Sequence, residues 1–243
     1  LPGARRDHVA RDRAALRALN RLVSIPAIGA IALAVVVIVV VNGFRLVATK
    51  PFVRAEYATR KLPPDIGLPR TERRDLALVG LESIRPRSRG GELLEEARLP
   101  DGTPAFTERE LSHMHDVRVV FRRALRLQTV LAALLLVVAI ALWRTRYRTL
   151  VPAGVAVGGI ATLVFAVVMV PFVLLGFDGV FVRFHELFFD GDSWRFSSRD
   201  TLLRIYPERF WMDTSVVIAA LVVAQSLLCA VLGTFWLRRV RTR

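Results

Sequence analysis

The sequence predicts an all-α membrane protein. It has four transmembrane helices, a small outer cap domain of helices with a turn of β-hairpin type, and an interfacial amphipathic helix. Three observations predict it. Four long runs carry no charged residue, although the chain is strongly basic. Arginine is concentrated at alternate ends of those runs. A Phe-rich stretch between two of them has helical apolar spacing.

The uncharged runs are 22–44, 127–143, 149–177 and 214–237, of 23, 17, 29 and 24 residues. A helix needs about 20 mostly apolar residues to cross ~30 Å of hydrocarbon. Only the second run is short, and snorkelling by Arg126 lengthens it. Backbone amides in lipid must be bonded internally, so each run should be a helix. That includes the β-branched stretch 35–41, which in water would favour a strand. The first run is too long for a cleaved signal, and no clear small-x-small site follows it, so we read it as a retained span.

Charge sets the expected topology. The segments 1–21, 144–148 and 238–243 hold 13 basic residues and two acids, Asp7 and Asp12. Short basic segments stay cytoplasmic. Both termini are therefore expected in the cytoplasm, with an extracytoplasmic cap over 45–126 and an extracytoplasmic interfacial segment over 178–213. The formal charge of +14 and the mean hydropathy of +0.43 then speak for topology and anionic lipid, not for nucleic acid.

Within the cap, Arg60-Lys61-Leu62-Pro63-Pro64-Asp65 reads as an extended turn. Apolar spacing predicts a helix over 71–84. Leu99-Pro100-Asp101-Gly102 reads as a tight turn, of the kind that closes a hairpin. Thr107-x-x-Glu110 is a capping box, so a helix should start near Glu108 and lead into the second span. His113 stands 14 residues before Leu127, roughly 21 Å along a helix. To reach a membrane substrate, that helix must tilt, bend near 122–126 or lean over the bilayer.

Over 177–189, apolar residues at 180, 181, 184, 187 and 188 define an amphipathic helix suited to the interface. Pro207 suits the start of the helix that becomes the fourth span. Trp143, Trp211 and Trp236 sit at span ends and read as interface anchors. Gly154, Gly158 and Gly159 suit close helix contact in the third span.

Of the four histidines, His8 lies in the basic tail and reads as solvated. His113, His115 and His185 should face the outer side. His185 has Phe181, Val182, Phe188 and Phe189 within one turn, so its ring should be partly desolvated. Burial favours neutral imidazole, a general base near neutral pH. The simpler reading is a histidine that anchors an interfacial helix. Asp116, three residues after His113, is placed to orient its ring. His113 and His115 point to different helix faces and chelate poorly together. The one cysteine, Cys229, lies in mid-span and reads as packing. No metal or cofactor is expected. No ionisable residue lies inside the uncharged runs, which argues against a proton- or ion-coupled transporter.

Two stretches resemble the signatures of a bacterial family of four-span proteins. The first is Glu110-Leu111-Ser112-His113-Met114-His115-Asp116-Val117, preceded by Asp101-Gly102 and Phe106. The second is Phe184-His185-Glu186-Leu187-Phe188-Phe189 with Asp192-Ser193-Trp194-Arg195-Phe196, Asp200-Thr201-Leu202-Leu203 and Tyr206-Pro207-Glu208-Arg209-Phe210-Trp211. The family is that of the lipoprotein intramolecular transacylases, Lit. The resemblance covers nearly the whole chain from the first span onward.

The resemblance implies a reaction. An acyl chain moves from the diacylglyceryl group of a bacterial lipoprotein to the α-amine of the same N-terminal cysteine. The implied partners are diacylglyceryl-modified lipoproteins and membrane lipids, and the implied location is the cytoplasmic membrane. The family's two outer-facing histidines fall on His113 and His185, with His115 at a spacer position. On that basis His185 takes the amine proton, while His113, steadied by Asp116, orients or polarises the ester; the two roles are exchangeable. Phe188, Phe189 and Trp194 line the acyl region, and Arg183, Arg195 or Arg204 meets polar groups. The alternative is a non-enzymatic membrane protein that binds lipoprotein or lipid at its outer face.

Overall fold

The computed structural model describes residues 2–242 apart from Arg60 and Ile66, with side chains from Leu22 onward. The side chains of His8 and the basic tail therefore lie outside the description. Of the turn expected at 60–65, only 61–65 is described.

The helices are α1 (Pro2–Val47), α2 (Lys50–Ala58), α3 (Arg70–Ile84), α4 (Glu92–Glu95) and α5 (Glu108–Leu142). They continue as α6 (Leu150–Leu175), α7 (Phe177–Phe188), α8 (Thr201–Ile205) and α9 (Glu208–Arg241). Four stretches are long and apolar enough to cross a membrane: Leu22–Val47, Glu108–Leu142, Leu150–Leu175 and Glu208–Arg241. In α5 the uncharged part is 127–142. The preceding stretch, 108–126, carries five arginines and His113. The β-branched stretch 35–41 is helical, as the need for internal hydrogen bonding in lipid requires.

The chain divides into two compact units. One comprises 1–39, 131–164 and 223–243, and the other 40–130 and 165–222.

The first unit packs parts of four long helices through small residues. A Cβ at Gly158 would lie 2.8 Å from the carbonyl oxygen of Ala32 on α1. One at Gly159 would lie 2.6 Å from the backbone nitrogen of Ala230 on α9. Helix α6 therefore meets its neighbours at backbone distance, which lets dispersion hold together helices whose outer faces gain nothing from leaving lipid. Leu134, Val137, Ile140, Ile160 and Val231 stay exposed, an apolar surface suited to lipid and costly in water. Ile31, Leu150 and Val151 form a small core against which Trp236 packs.

The second unit holds the cap. Its core gathers Val53, Tyr57, Leu68, Leu76, Leu81, Leu94, Phe106, Met114, Ile205 and Phe210. Trp211 packs against this core too, so it serves the cap's packing besides any anchoring at the interface. The capping box forms as its residues dictate. Thr107 N–H donates to Glu110 Oε2 at 2.8 Å, and Glu110 N–H donates to Thr107 Oγ1 at 3.3 Å. The turn at Leu99 closes with Gly102 N–H donating to the Leu99 carbonyl at 2.9 Å, Gly102 taking φ +85°. The hairpin goes no further than one antiparallel bridge, Arg98 to Pro104. Pro100 and Pro104 lack the amide hydrogens that a longer ladder needs.

Short α8 is fixed by polar ties from elsewhere in the cap. Arg204 pairs with Asp65 through two hydrogen bonds of 2.7 and 3.0 Å. Arg73 Nε donates to the Arg204 carbonyl at 2.8 Å. The Tyr57 hydroxyl donates to the Ile205 carbonyl, and the Tyr206 hydroxyl donates to the Ala77 carbonyl. A five-residue helix has little stability of its own; these contacts hold it.

Candidate active site

Three segments of the cap unit bring the site together. Helix α5 supplies His113, α7 supplies His185 and Phe189 follows it, and the loop before α8 supplies Trp194 and Phe196. Glu110 aligns the first with the last. It is fully buried. While Oε2 caps α5, Oε1 accepts from the backbone N–H of Leu202 at 2.7 Å. One carboxylate thus ties the start of α5 to the start of α8, one helical turn before His113. Arg109 adds an outer tie, donating to the Asp192 carbonyl at 2.5 Å.

His113 and His185, 72 positions apart in the sequence, lie with ring centroids 6.1 Å apart and planes 25° from parallel. Aromatic rings surround both. Phe189 and Phe196 stand edge-on to His113 at 4.9 and 5.3 Å. Phe181 and Trp194 pack on His185 at 4.1 and 4.9 Å. His113 is 7% exposed. Burial, and then the neighbouring His185, push its pKa down to about 4. Burial also lowers the pKa of His185, opposed by a hydrogen bond to the Phe181 carbonyl. Both rings are therefore neutral at pH 7.

The hydrogen bonding distinguishes the two rings. His185 Nδ1 lies 2.8 Å from the Phe181 carbonyl oxygen. A carbonyl only accepts, so Nδ1 carries the hydrogen and Nε2 keeps its lone pair. His113 Nδ1 is buried with no partner.

The other candidates are distributed unevenly. His115 is exposed, on a different face from His113. Asp116 makes no hydrogen bond to His113 Nδ1. The i+3 spacing sets the two on neighbouring faces, but the His113 ring turns towards the aromatic cluster. Phe189 and Trp194 are buried at the histidines. Phe188 is half-exposed beside Phe184 and Leu187, on the outward face of α7. Arg183 is paired with Glu186 at 3.1 Å and Arg195 with Asp192 at 3.2 Å. Arg204 is committed to Asp65, so its guanidinium serves the cap's internal structure.

Glu110, Phe181 and Phe196 were not singled out from the sequence as site residues. Glu110 was visible only as a local cap, and its second partner is 92 residues away. Phe181 and Phe196 carried one usable signal, a Phe-rich neighbourhood around His185 and Trp194.

A multi-pass helical membrane protein with a pair of neutral, aromatic-lined histidines is the class that fold and site define. Comparison with known proteins narrows this. The model of a family described as lipoprotein intramolecular transacylase Lit matches residues 27–211. An uncharacterized protein of Aquifex aeolicus (strain VF5) is 31% identical over 178 residues, 73% of this chain and 79% of that protein. The solved structure of the membrane integral lipoprotein intramolecular transacylase Lit from Bacillus cereus superposes with a TM-score of 0.71 at 19% identity, covering 93% of this chain and 99% of that one. A form of the same protein with one histidine changed to alanine gives 0.58 at 18% identity, covering 96% and 100%. This chain belongs to the Lit family, and the solved structures share its fold.

Proposed function

We propose that the protein is an intramolecular acyltransferase. In this reading it moves an acyl chain from the glyceryl ester of a diacylglyceryl lipoprotein to the α-amine of the same N-terminal cysteine. The observation that carries it is the His113–His185 pair, held neutral in a pocket of aromatic rings. Family membership supports the substrate class.

The chemistry needs an unprotonated amine, a base for its proton and a donor for the developing oxyanion. The amine nitrogen attacks the ester carbonyl carbon, and its proton passes to His185 Nε2. The carbon–oxygen bond to glycerol then breaks, and the leaving oxygen takes the proton back. An amide and a free glyceryl hydroxyl result, so atoms and charge balance. His113 is assigned the electrophilic part. A hydrogen on its buried Nδ1 would be a donor without an acceptor, which folded proteins avoid, so the neutral ring keeps its hydrogen on Nε2 and can donate it to the ester. Amine and ester belong to one substrate, so positioning supplies much of the acceleration and no enzyme nucleophile is required. The exposed face of Phe184, Leu187 and Phe188 suits an acyl chain arriving from lipid.

In the same proposal the protein lies in the bacterial cytoplasmic membrane with both termini in the cytoplasm. The cap over 45–126 and the segment over 178–213 then form an extracytoplasmic active face.

The purified protein in detergent tests the reaction. Given only a diacylglyceryl lipopeptide, it should yield the N-acylated lyso product. A requirement for added phospholipid would instead indicate intermolecular transfer. Binding of the lipopeptide with no product would indicate a non-enzymatic lipoprotein binder.

A further inference from the structure

We infer that the indole N–H of Trp194 is a second hydrogen-bond donor, beside His113 Nε2–H, for the reacting ester carbonyl, and so a catalytic residue; the inference rests on the transacylase reading above. Trp194 is 6% exposed, and its Nε1 is buried with no hydrogen-bond partner. Indole N–H can donate but not accept. A buried donor left unmet in a folded protein calls for an explanation. Here the unmet donor belongs to a ring packed 4.9 Å from His185, with planes 31° apart.

That position matches the reaction. The base takes a proton from the amine while the amine attacks the carbonyl carbon. The carbonyl oxygen is then two covalent bonds from the amine nitrogen, close to the base. As the carbon–nitrogen bond forms, the C=O π electrons move onto that oxygen, and a fixed N–H stabilises the charge there. When the glyceryl oxygen leaves, the carbonyl reforms and the charge disperses. Trp194 gives up no proton in the cycle and needs no co-reactant.

The nearby cations have other partners. Arg195 pairs with Asp192 and Arg183 with Glu186, while Arg109 donates to the Asp192 carbonyl. Arg195 also lies over the indole, 5.1 Å from the ring centroid. A cation there draws on the π electrons and makes the N–H a stronger donor. The backbone around Trp194 is tied down by the Arg109 bond and by Arg195 N–H donating to the Asp192 carbonyl at 3.1 Å. Such fixed dipoles suit oxyanion stabilisation because they need no reorganisation during reaction. Nε1 does not meet solvent, so the ester reaches it by displacing a side chain packed over it.

The test replaces Trp194 in the full chain by benzothienylalanine, which puts sulfur in place of N–H and keeps the ring outline. Rates are measured per folded protein on a synthetic diacylglyceryl lipopeptide. The expected result is a fall in kcat of roughly 10²–10³-fold, with KM changed by less than about threefold. The acid limb of the pH profile should stay where it is, because His185 is untouched. Trp194→Phe should lose kcat similarly, and a fluorotryptophan, which keeps the N–H, should retain it. An unchanged kcat in the benzothienylalanine protein, beside an active unsubstituted protein, overturns the role of Trp194 alone. An unsubstituted protein that makes no N-acylated product overturns the transacylase reading and this inference together.

Discussion

Glu110 and Leu202 are joined by a buried hydrogen bond of 2.7 Å, from the backbone N–H of Leu202 to a carboxylate oxygen. The other oxygen of the same carboxylate caps α5 at Thr107. Glu110→Ala should therefore leave the amides of Thr107 and Leu202 without acceptors. The expected cost is on the order of 2–3 kcal/mol, read as a lower unfolding temperature in detergent. Glu110→Gln should be destabilised as well, because its amide group presents a donor where one of the two donors now finds an acceptor. The same variants should lose acyl transfer beyond their loss of folded protein, since His113 follows one turn later.

Arg204 and Asp65 make the second prediction. Their side chains are only 18% and 15% exposed, and hydrogen bonding to Arg204 holds the Asp65 carboxyl below its usual range. A lowered carboxyl pKa gives stability that is present above the unfolded value, about 3.9, and lost as pH falls through the lower folded value. Arg204→Met should destabilise the cap by on the order of 2 kcal/mol at neutral pH. It should also weaken the pH dependence of unfolding below about pH 4 and leave KM for lipopeptide unchanged. A raised KM at full stability would return Arg204 to substrate binding.

The legible parts of this protein were the local ones. Charge-free runs, the Thr107–Glu110 capping box and the apolar spacing of 177–189 each act within a few turns, so α5, α7 and the four long helices could be read directly. Pairings across the chain left no trace in spacing. Arg204 looked like a free cation because Asp65 is 139 residues away. Asp116 looked like a partner for His113 because it is close in sequence, but rings from α7 and the following loop turn the imidazole elsewhere. The histidine pair itself was read through a family resemblance, not from spacing.

Burial lowers the pKa of both histidines, and the sign of the consequence follows. The unfolded chain takes up protons near pH 6.5, while folded His113 does so only at about 4. Stability from the neutral rings is therefore complete above pH 6.5 and is lost as pH falls from there towards 4. The unfolding temperature should drop across that window, and less steeply in His113→Phe. Acyl transfer should fall as pH drops through the titration of the substrate's own α-amine, about 7.7–8.0 when unperturbed, because only the unprotonated amine attacks. A second limb, from the histidines, should lie below 6.5, where His185 Nε2 begins to take up a proton. A histidine limb at 6.5 itself would mean that the rings are less desolvated than their packing implies.

The most direct measurement is mass spectrometry of lipopeptides from a lipoprotein-competent host expressing the protein or its single variants His113→Ala and His185→Ala. The account predicts N-acylated lyso lipopeptides with the unsubstituted protein and none above background with either variant, at matched membrane levels. Undiminished lyso product from either variant would contradict the claim that the two imidazoles carry out the transfer.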